Sequence, residues 1–169
     1  AQVVALTTAD IIALTTAQAE SITTQQAFAL TTAQLVAMET RDFAAITTDD
    51  IAALQTAQVV SLTTAEIVAL TTGQAASLIT QQGFALTTAQ LVALETRDFA
   101  AISTDSIAAL QTAQVLALSS ADIIALRTDQ AQALTTRQAF ALSTAQLVAM
   151  ETQDFAALST QSMAALQTA

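Results

Sequence analysis

Cysteine, histidine and lysine are absent from this 169-residue chain, and glycine occurs only at Gly73 and Gly83. The first two absences remove disulfides, thiolate nucleophiles, imidazole bases and most transition-metal sites, and with them any reading of redox compartment. Basic charge is scarce: four Arg stand against fourteen acidic residues, a formal charge of −10. Phosphate backbones and anionic lipid call for basic patches, so neither nucleic acid nor a membrane surface is an expected partner. Alanine inflates the hydrophobic fraction of 53%, and no apolar run reaches the ~18 residues needed to cross a bilayer. The opening AQVVALTT has neither the basic nor the apolar region of a signal peptide. It is itself the first copy of a repeated phrase, so the chain reads as an excerpt of a longer array.

That eight-residue phrase is written twenty-one times without insertion, from AQVVALTT to QSMAALQT, before a final Ala169. Units repeated at a fixed period bury their apolar faces only against one another, which makes residues 1–169 a single array. Numbering the octad 1 to 8, position 8 is Thr throughout except at Ser120, and position 6 is always aliphatic or Met, as in Leu6, Leu14, Ile22 and Leu30. Position 5 is only Ala or Ser, which suggests a close backbone approach. Position 2 is Gln, Asp, Glu or Ser in every unit.

A hydroxyl followed two residues later by an acid or amide is the start of a helix. The expected N-caps are Thr8, Thr16, Thr24, Thr32, Thr40, Thr48, Thr56, Thr64 and their successors. A cap at position 7 would instead form a capping box with position 2, as between Thr7 and Asp10, but position 7 varies more widely, which favours position 8. Positions 1 to 6 would then make about one and a half turns, roughly 9 Å long.

One continuous helix is excluded, because equivalent positions would drift by about 80° per octad and no single face could be buried. A β-solenoid is the alternative, since Thr, Val and Ile favour strands. Against it, positions 3 to 6 are an apolar block rather than an alternation, alanine is abundant, and two glycines are too few for corners needing positive φ. The expected fold is an all-α solenoid of very short helices joined by extended linkers.

Positions 3 and 4 carry a second rhythm. Val3-Val4, Ile11-Ile12, Ala19-Glu20, Ala27-Phe28, Leu35-Val36, Phe43-Ala44 and Ile51-Ala52 restart at Val59-Val60, giving super-repeats 1–56, 57–112 and 113–168. Three and a half units per turn would produce it, with each unit packed on those three and four away; one turn of seven is the other option. The six aromatics follow this period: Phe28, Phe84 and Phe140 at position 4, Phe43, Phe99 and Phe155 at position 3, each beside Ala or Gly. That pairing of large with small points to core positions alongside Leu6, Leu14 and Leu30. Glu20 and Gln132 at position 4 mark a solvent-facing place in the third octad.

The densest charges are Glu39, Arg41 and Asp42, repeated at Glu95, Arg97 and Asp98. They form a candidate polar surface cluster. Paired carboxylates act as acid and base only in a pocket that shifts a pKa, and here acids stand at helix starts, where they are favourable in any case. No catalytic residue, cofactor or metal ligand is assigned. Asp49, Asp50 and Asp105 could offer oxygens to calcium, but no calcium loop motif accompanies them.

The phrases AQVVALTT and LTTAQLVALET resemble the octad tracts of very long, repetitive bacterial surface or secreted proteins, over the whole chain. That resemblance implies a spacer, a stalk or a self-associating segment at a cell surface, and no enzyme. The same phrases are similar to the first helix of the TAL-effector DNA-binding repeat. The likeness stops there, because the second helix, the Gly-rich base-reading loop and the basic charge are missing. The expected partner is a second copy, joined end to end through similar and uncapped ends or side by side; a solenoid binding calcium, glycan or peptide is the alternative, and ice binding a more distant one.

Overall fold

The computed structural model describes residues 2–166. After a 3₁₀ turn at Val3–Ala5 come twenty short α-helices, with no strand among the described residues. They are α1 (Thr8–Ile12), α2 (Thr16–Glu20), α3 (Thr24–Ala29), α4 (Thr32–Ala37), α5 (Thr40–Phe43), α6 (Thr48–Ala53), α7 (Thr56–Ser61), α8 (Thr64–Ala69), α9 (Thr72–Ser77) and α10 (Thr80–Ala85). The series continues as α11 (Thr88–Ala93), α12 (Thr96–Ala101), α13 (Thr104–Ala109), α14 (Thr112–Ala117), α15 (Ser120–Ile124), α16 (Thr128–Ala133), α17 (Thr136–Ala141), α18 (Thr144–Ala149), α19 (Thr152–Ala157) and α20 (Thr160–Ala164). The fold is an all-α solenoid with one helix per octad.

Most helices begin with a capping box centred on position 7. The Gln34 N–H donates to the Thr31 hydroxyl at 3.2 Å, and Gln34 Oε1 accepts the Thr31 N–H at 2.8 Å. This corrects the expected caps: Thr8, Thr16, Thr24, Thr32, Thr40, Thr48, Thr56 and Thr64 are each the first helical residue, one place inside the cap. The reason is the reach of position 2. With the cap at position 7, that amide falls on the third helical residue and can close the box; with the cap at position 8 it falls one residue short. Position 7 varies because its side chain is the lesser half. At Ile79, which has no hydroxyl, Gln82 Oε1 still accepts the backbone N–H at 2.9 Å.

Apart from α5, which ends at position 3, the helices stop at or just before position 5, and positions 6 and 7 are extended, as at Leu54 (φ −60°, ψ 137°) and Gln55 (φ −71°, ψ 154°). No described residue has a positive φ. A helix without a left-handed glycine cap leaves C-terminal carbonyls to satisfy. Position 2 of the next turn satisfies them. Gln58 Nε2 donates to Ala27 O at 2.9 Å and Leu30 O at 2.8 Å. The same two bonds, to carbonyls 31 and 28 residues earlier, recur at Gln82, Gln90, Gln138 and Gln146. One glutamine therefore caps the start of its own helix and the end of another in the turn below.

That spacing sets the superhelix. Twenty-eight residues are three and a half octads, and helices three apart touch all along the chain, from α1 with α4 to α17 with α20. A turn thus holds about three and a half units, and two turns hold 56 residues; the option of seven units in one turn is not adopted.

Positions 3 and 6 fill the interior, with Leu30 at 4% exposure, Phe43 at 0% and Phe99 at 1%. Burying one such side chain contributes roughly 1.5–3 kcal/mol, so the core lies between turns rather than inside any helix. Three expected core residues are not core: Phe28, Phe84 and Phe140 are each 54% exposed. Position 4 follows position 3 by one residue, about 100° round the helix, which turns it outward. Leu6 and Leu14 at one end, and Phe155 at the other, are only partly covered because each lacks one neighbouring turn. Both ends leave large apolar side chains uncovered, Leu6 at 38% exposure and Phe155 at 36%. The first turn leaves Gln18 and Gln26 exposed, while the last leaves the apolar Phe155 and Met163 exposed.

Candidate functional site

Position 2 supplies the buried polar row of the solenoid. Where it is Ser, the hydroxyl still reaches the carbonyl 28 residues back: Ser106 to Leu78 O and Ser162 to Leu134 O, both at 3.0 Å. Where it is Asp, the bond commonly reverses. The hydroxyls of Thr16, Thr72 and Thr128 donate upward to Oδ1 of Asp42, Asp98 and Asp154 at 2.6, 2.5 and 2.7 Å, and that of Thr96 donates to Asp122 at 3.1 Å. Position 8 threonines thus act between turns at these places.

The expected polar surface cluster divides in two. Arg41 and Glu39 are exposed and paired at 3.0 Å, as are Arg97 and Glu95 at 3.1 Å. Asp42 and Asp98, by contrast, are buried at 0% and 1% exposure, so they belong to the interior and not to the surface. Only their Oδ1 atoms approach the same arginines, at 3.5 and 3.4 Å from Nε. Their Oδ2 atoms, with Oδ2 of Asp154 and Oε1 of Glu66, have no hydrogen-bond partner in the protein. Burial raises the Glu66 carboxyl above its ordinary range, against the backbone and side-chain hydrogen bonds from Thr63 that lower it. Asp10, exposed in the first turn, is held below the usual range by the Thr7 hydroxyl first and its N–H second. Asp129 is held low mainly by its bond to Arg127. Among the described residues no three acidic, histidine or cysteine side chains converge on one point, and no helix is long and apolar enough to cross a membrane.

The surface feature that sequence reasoning missed is at position 4. Helices three apart touch, so side chains 24 residues apart are surface neighbours. At that step, position 4 runs Ile12, Val36, Val60, Phe84 on α1, α4, α7 and α10, then Ala108, Gln132, Ala156 on α13, α16 and α19. A second series runs Val68, Val92, Leu116, Phe140 on α8, α11, α14 and α17. In each, four large apolar side chains stand together beside small or polar ones: Ala108, Gln132 and Ala156 follow the first four, while Glu20 and Ala44 precede the second four and Ala164 follows them. Position 1 turns polar one helix earlier: Ala9, Ala33 and Ala57 in the first series give way to Gln81, beside Phe84 on α10, and then to Asp105 and Asp129. The solenoid therefore has an apolar flank and a polar, acidic one. The signal was present in the 56-residue rhythm, but it becomes visible only when the octads are ordered by contact instead of by chain.

Grooves lie on the apolar flank between neighbouring helices. One of about 840 Å³ is lined by Ala57 and Val60 of α7 and by Gln81 and Phe84 of α10. Another of about 980 Å³ repeats it 56 residues on, with Ala113, Leu116, Arg137 and Phe140. Gln111, beside the first groove, donates from Nε2 to Phe84 O at 3.3 Å, and Gln55 donates to Phe28 O at 3.0 Å. The backbone of each of these aromatics is held by the next turn.

A family model described as the ALTTAQ repeat matches residues 43–80, 91–128, 99–136 and 107–144, together more than half of the chain. No curated protein and no solved structure matches it.

Proposed function

The chain belongs to the ALTTAQ repeat family, and from that membership and its geometry we propose that it is a structural spacer, a rod whose length is set by octad count within a long repetitive bacterial surface or secreted protein. One observation carries this reading. The 28-residue hydrogen-bond register recurs from Gln34, bonded to Leu6 O, to Ser162, bonded to Leu134 O. Acids take the place of the amide at some octads, yet every successive turn keeps at least one bond of this register. Each turn is fastened to the last by the same contact, so added octads add length and no new shape. The ends fit the role, since uncovered Gln18 and Gln26 amides are the donors that a preceding turn's carbonyls would accept. A further turn, from the same chain or from a second copy, completes the contact.

Small-angle scattering on chains of 112, 168 and 224 residues tests the rod, the longest carrying a fourth super-repeat. Maximum dimension should grow in equal steps at constant cross-section. Constant dimension with increasing cross-section would mean that turns collapse on one another, and the spacer reading would be lost. End-on growth should appear as concentration-dependent lengthening, abolished by Phe155→Asp with Met163→Asp at the last-turn end. Lengthening that survives this pair would remove the end-on contact.

A further inference from the structure

We infer that the apolar flank is a lateral docking surface for a second copy of this chain, joining two solenoids side by side. A rod needs its stacked interior and its ends, but it has no need of Val60, Phe84 or Leu116 on its outer side, so the spacer role leaves this flank unexplained.

Three observations identify the occupant. The first is area. On the two series and their first-turn and last-turn counterparts, position 4 leaves side chains such as Val60, Phe84 and Leu116 46%, 54% and 57% exposed. Summed over the flank this is on the order of 800 Å² of apolar surface. That is about what one partner contributes to a stable interface, and far more than scattered surface residues explain.

The second is charge. The chain carries −10, yet the exposed acids Glu20, Asp49, Asp105 and Asp129 stand on α2, α6, α13 and α16, whose position 4 residues are Glu20, Ala52, Ala108 and Gln132. Glu39, Glu95 and Glu151 stand at the starts of α5, α12 and α19, where position 4 is Ala44, Ala100 and Ala156. These are the helices of the polar flank. Two copies joined through their apolar flanks keep those acids on opposite outer sides, whereas any other lateral pairing brings like charges together. A basic partner would find only Asp10, on α1 at the first-turn end, and an acidic one would meet only Arg137 beside the groove.

The third is period. The groove beside Val60 and Phe84 recurs 56 residues on beside Leu116 and Phe140, so the two grooves are set apart by the super-repeat of the sequence. A second copy presents ridges and grooves at that same spacing, and a two-fold axis across the flank would seat each copy's aromatic ridge in the other's groove. An unrelated partner would have to reproduce the spacing by chance.

The test uses the chain as it stands. Sedimentation velocity up to about 0.5 mM should show a monomer passing to a dimer, and small-angle scattering should give the dimer twice the mass at the length of one rod. Phe84→Gln with Leu116→Gln should weaken the dimer at least about tenfold while leaving the helical circular dichroism and melting temperature in place, since both side chains face outward. The Phe155→Asp, Met163→Asp pair that blocks end-on growth should leave it unchanged. Because the chain has no cysteine, a single thiol gives a second readout that does not depend on the glutamine variants folding. Val92→Cys, on the apolar flank near the middle of the rod and so near the two-fold axis, should cross-link under mild oxidation, and Ala76→Cys on the polar flank should not. A monomer at every concentration overturns the proposal, whether or not the flank then takes up phosphatidylcholine vesicles. Dimerisation that lengthens the rod, or equal cross-linking of the two thiols, overturns it as well.

Discussion

At the scale of the residue, position 2 does the most. Gln82 bonds to the Ile79 N–H and to the carbonyls of Ile51 and Leu54, with no surface exposed. Gln82→Ala should cost about 2–4 kcal/mol in denaturant unfolding, because it removes a buried side chain and leaves both helix ends unpaired. Glu66 is the reverse case. It occupies a glutamine place with a carboxylate, and its unpartnered Oε1 stands where a glutamine carries its donor. Glu66→Gln should stabilise the chain by about 1–3 kcal/mol at pH 7. Because burial raises the folded pKa above the ordinary 4.5, the folded state holds this proton more tightly than the unfolded state. The penalty is therefore full above the raised value and fades as pH falls through it toward 4.5. Melting temperatures of parent and variant should differ at pH 7 and converge near pH 4. Asp10 and Asp129, held low, act in the opposite sense in both proteins and cancel in that comparison.

At the scale of the element, each helix is too short to stand alone, and its composition says which parts of it could be read in advance. The solenoid, the helix per octad and the aliphatic interior at position 6 were legible because Ala, Leu and Gln at fixed spacing leave few alternatives. The cap was misplaced by one residue because Thr at both 7 and 8 offers two candidate hydroxyls. What decides between them is the reach of Gln34 or Asp10 across three residues, a geometric fact that invariance at position 8 hides. The outward Phe residues were misassigned for a related reason. Position 3 and position 4 both carry Phe beside a small residue, and composition cannot say which side of a six-residue helix faces the axis. The two kinds of aromatic should separate sharply on mutation: Phe99→Ala, at 1% exposure, should cost about 3–5 kcal/mol, and Phe84→Ala less than about 1 kcal/mol. Ile79→Thr should restore the missing hydroxyl half of its cap and gain about 0.5–1 kcal/mol by thermal melting.

At the scale of the whole molecule, stability belongs to the stack. Six-residue helices are unstable in water, and interior turns are joined by glutamines above and carbonyls below, so melting temperature should rise with turn number. Residues 57–112 alone, two turns with no covered neighbour, should melt well below the full chain; equal melting by circular dichroism would contradict stacking as the source of stability. The fractional turn has a further consequence, for how such a gene can change length. Adding or losing one octad keeps position 2 opposite a pair of carbonyls and leaves the rod intact, yet it rotates everything beyond it by two-sevenths of a circle. The apolar flank above the change would then face a different way from the flank below. Only blocks of seven octads return it to the same side, so the 56-residue unit is the smallest step by which copy number can drift while one continuous side of the rod is kept.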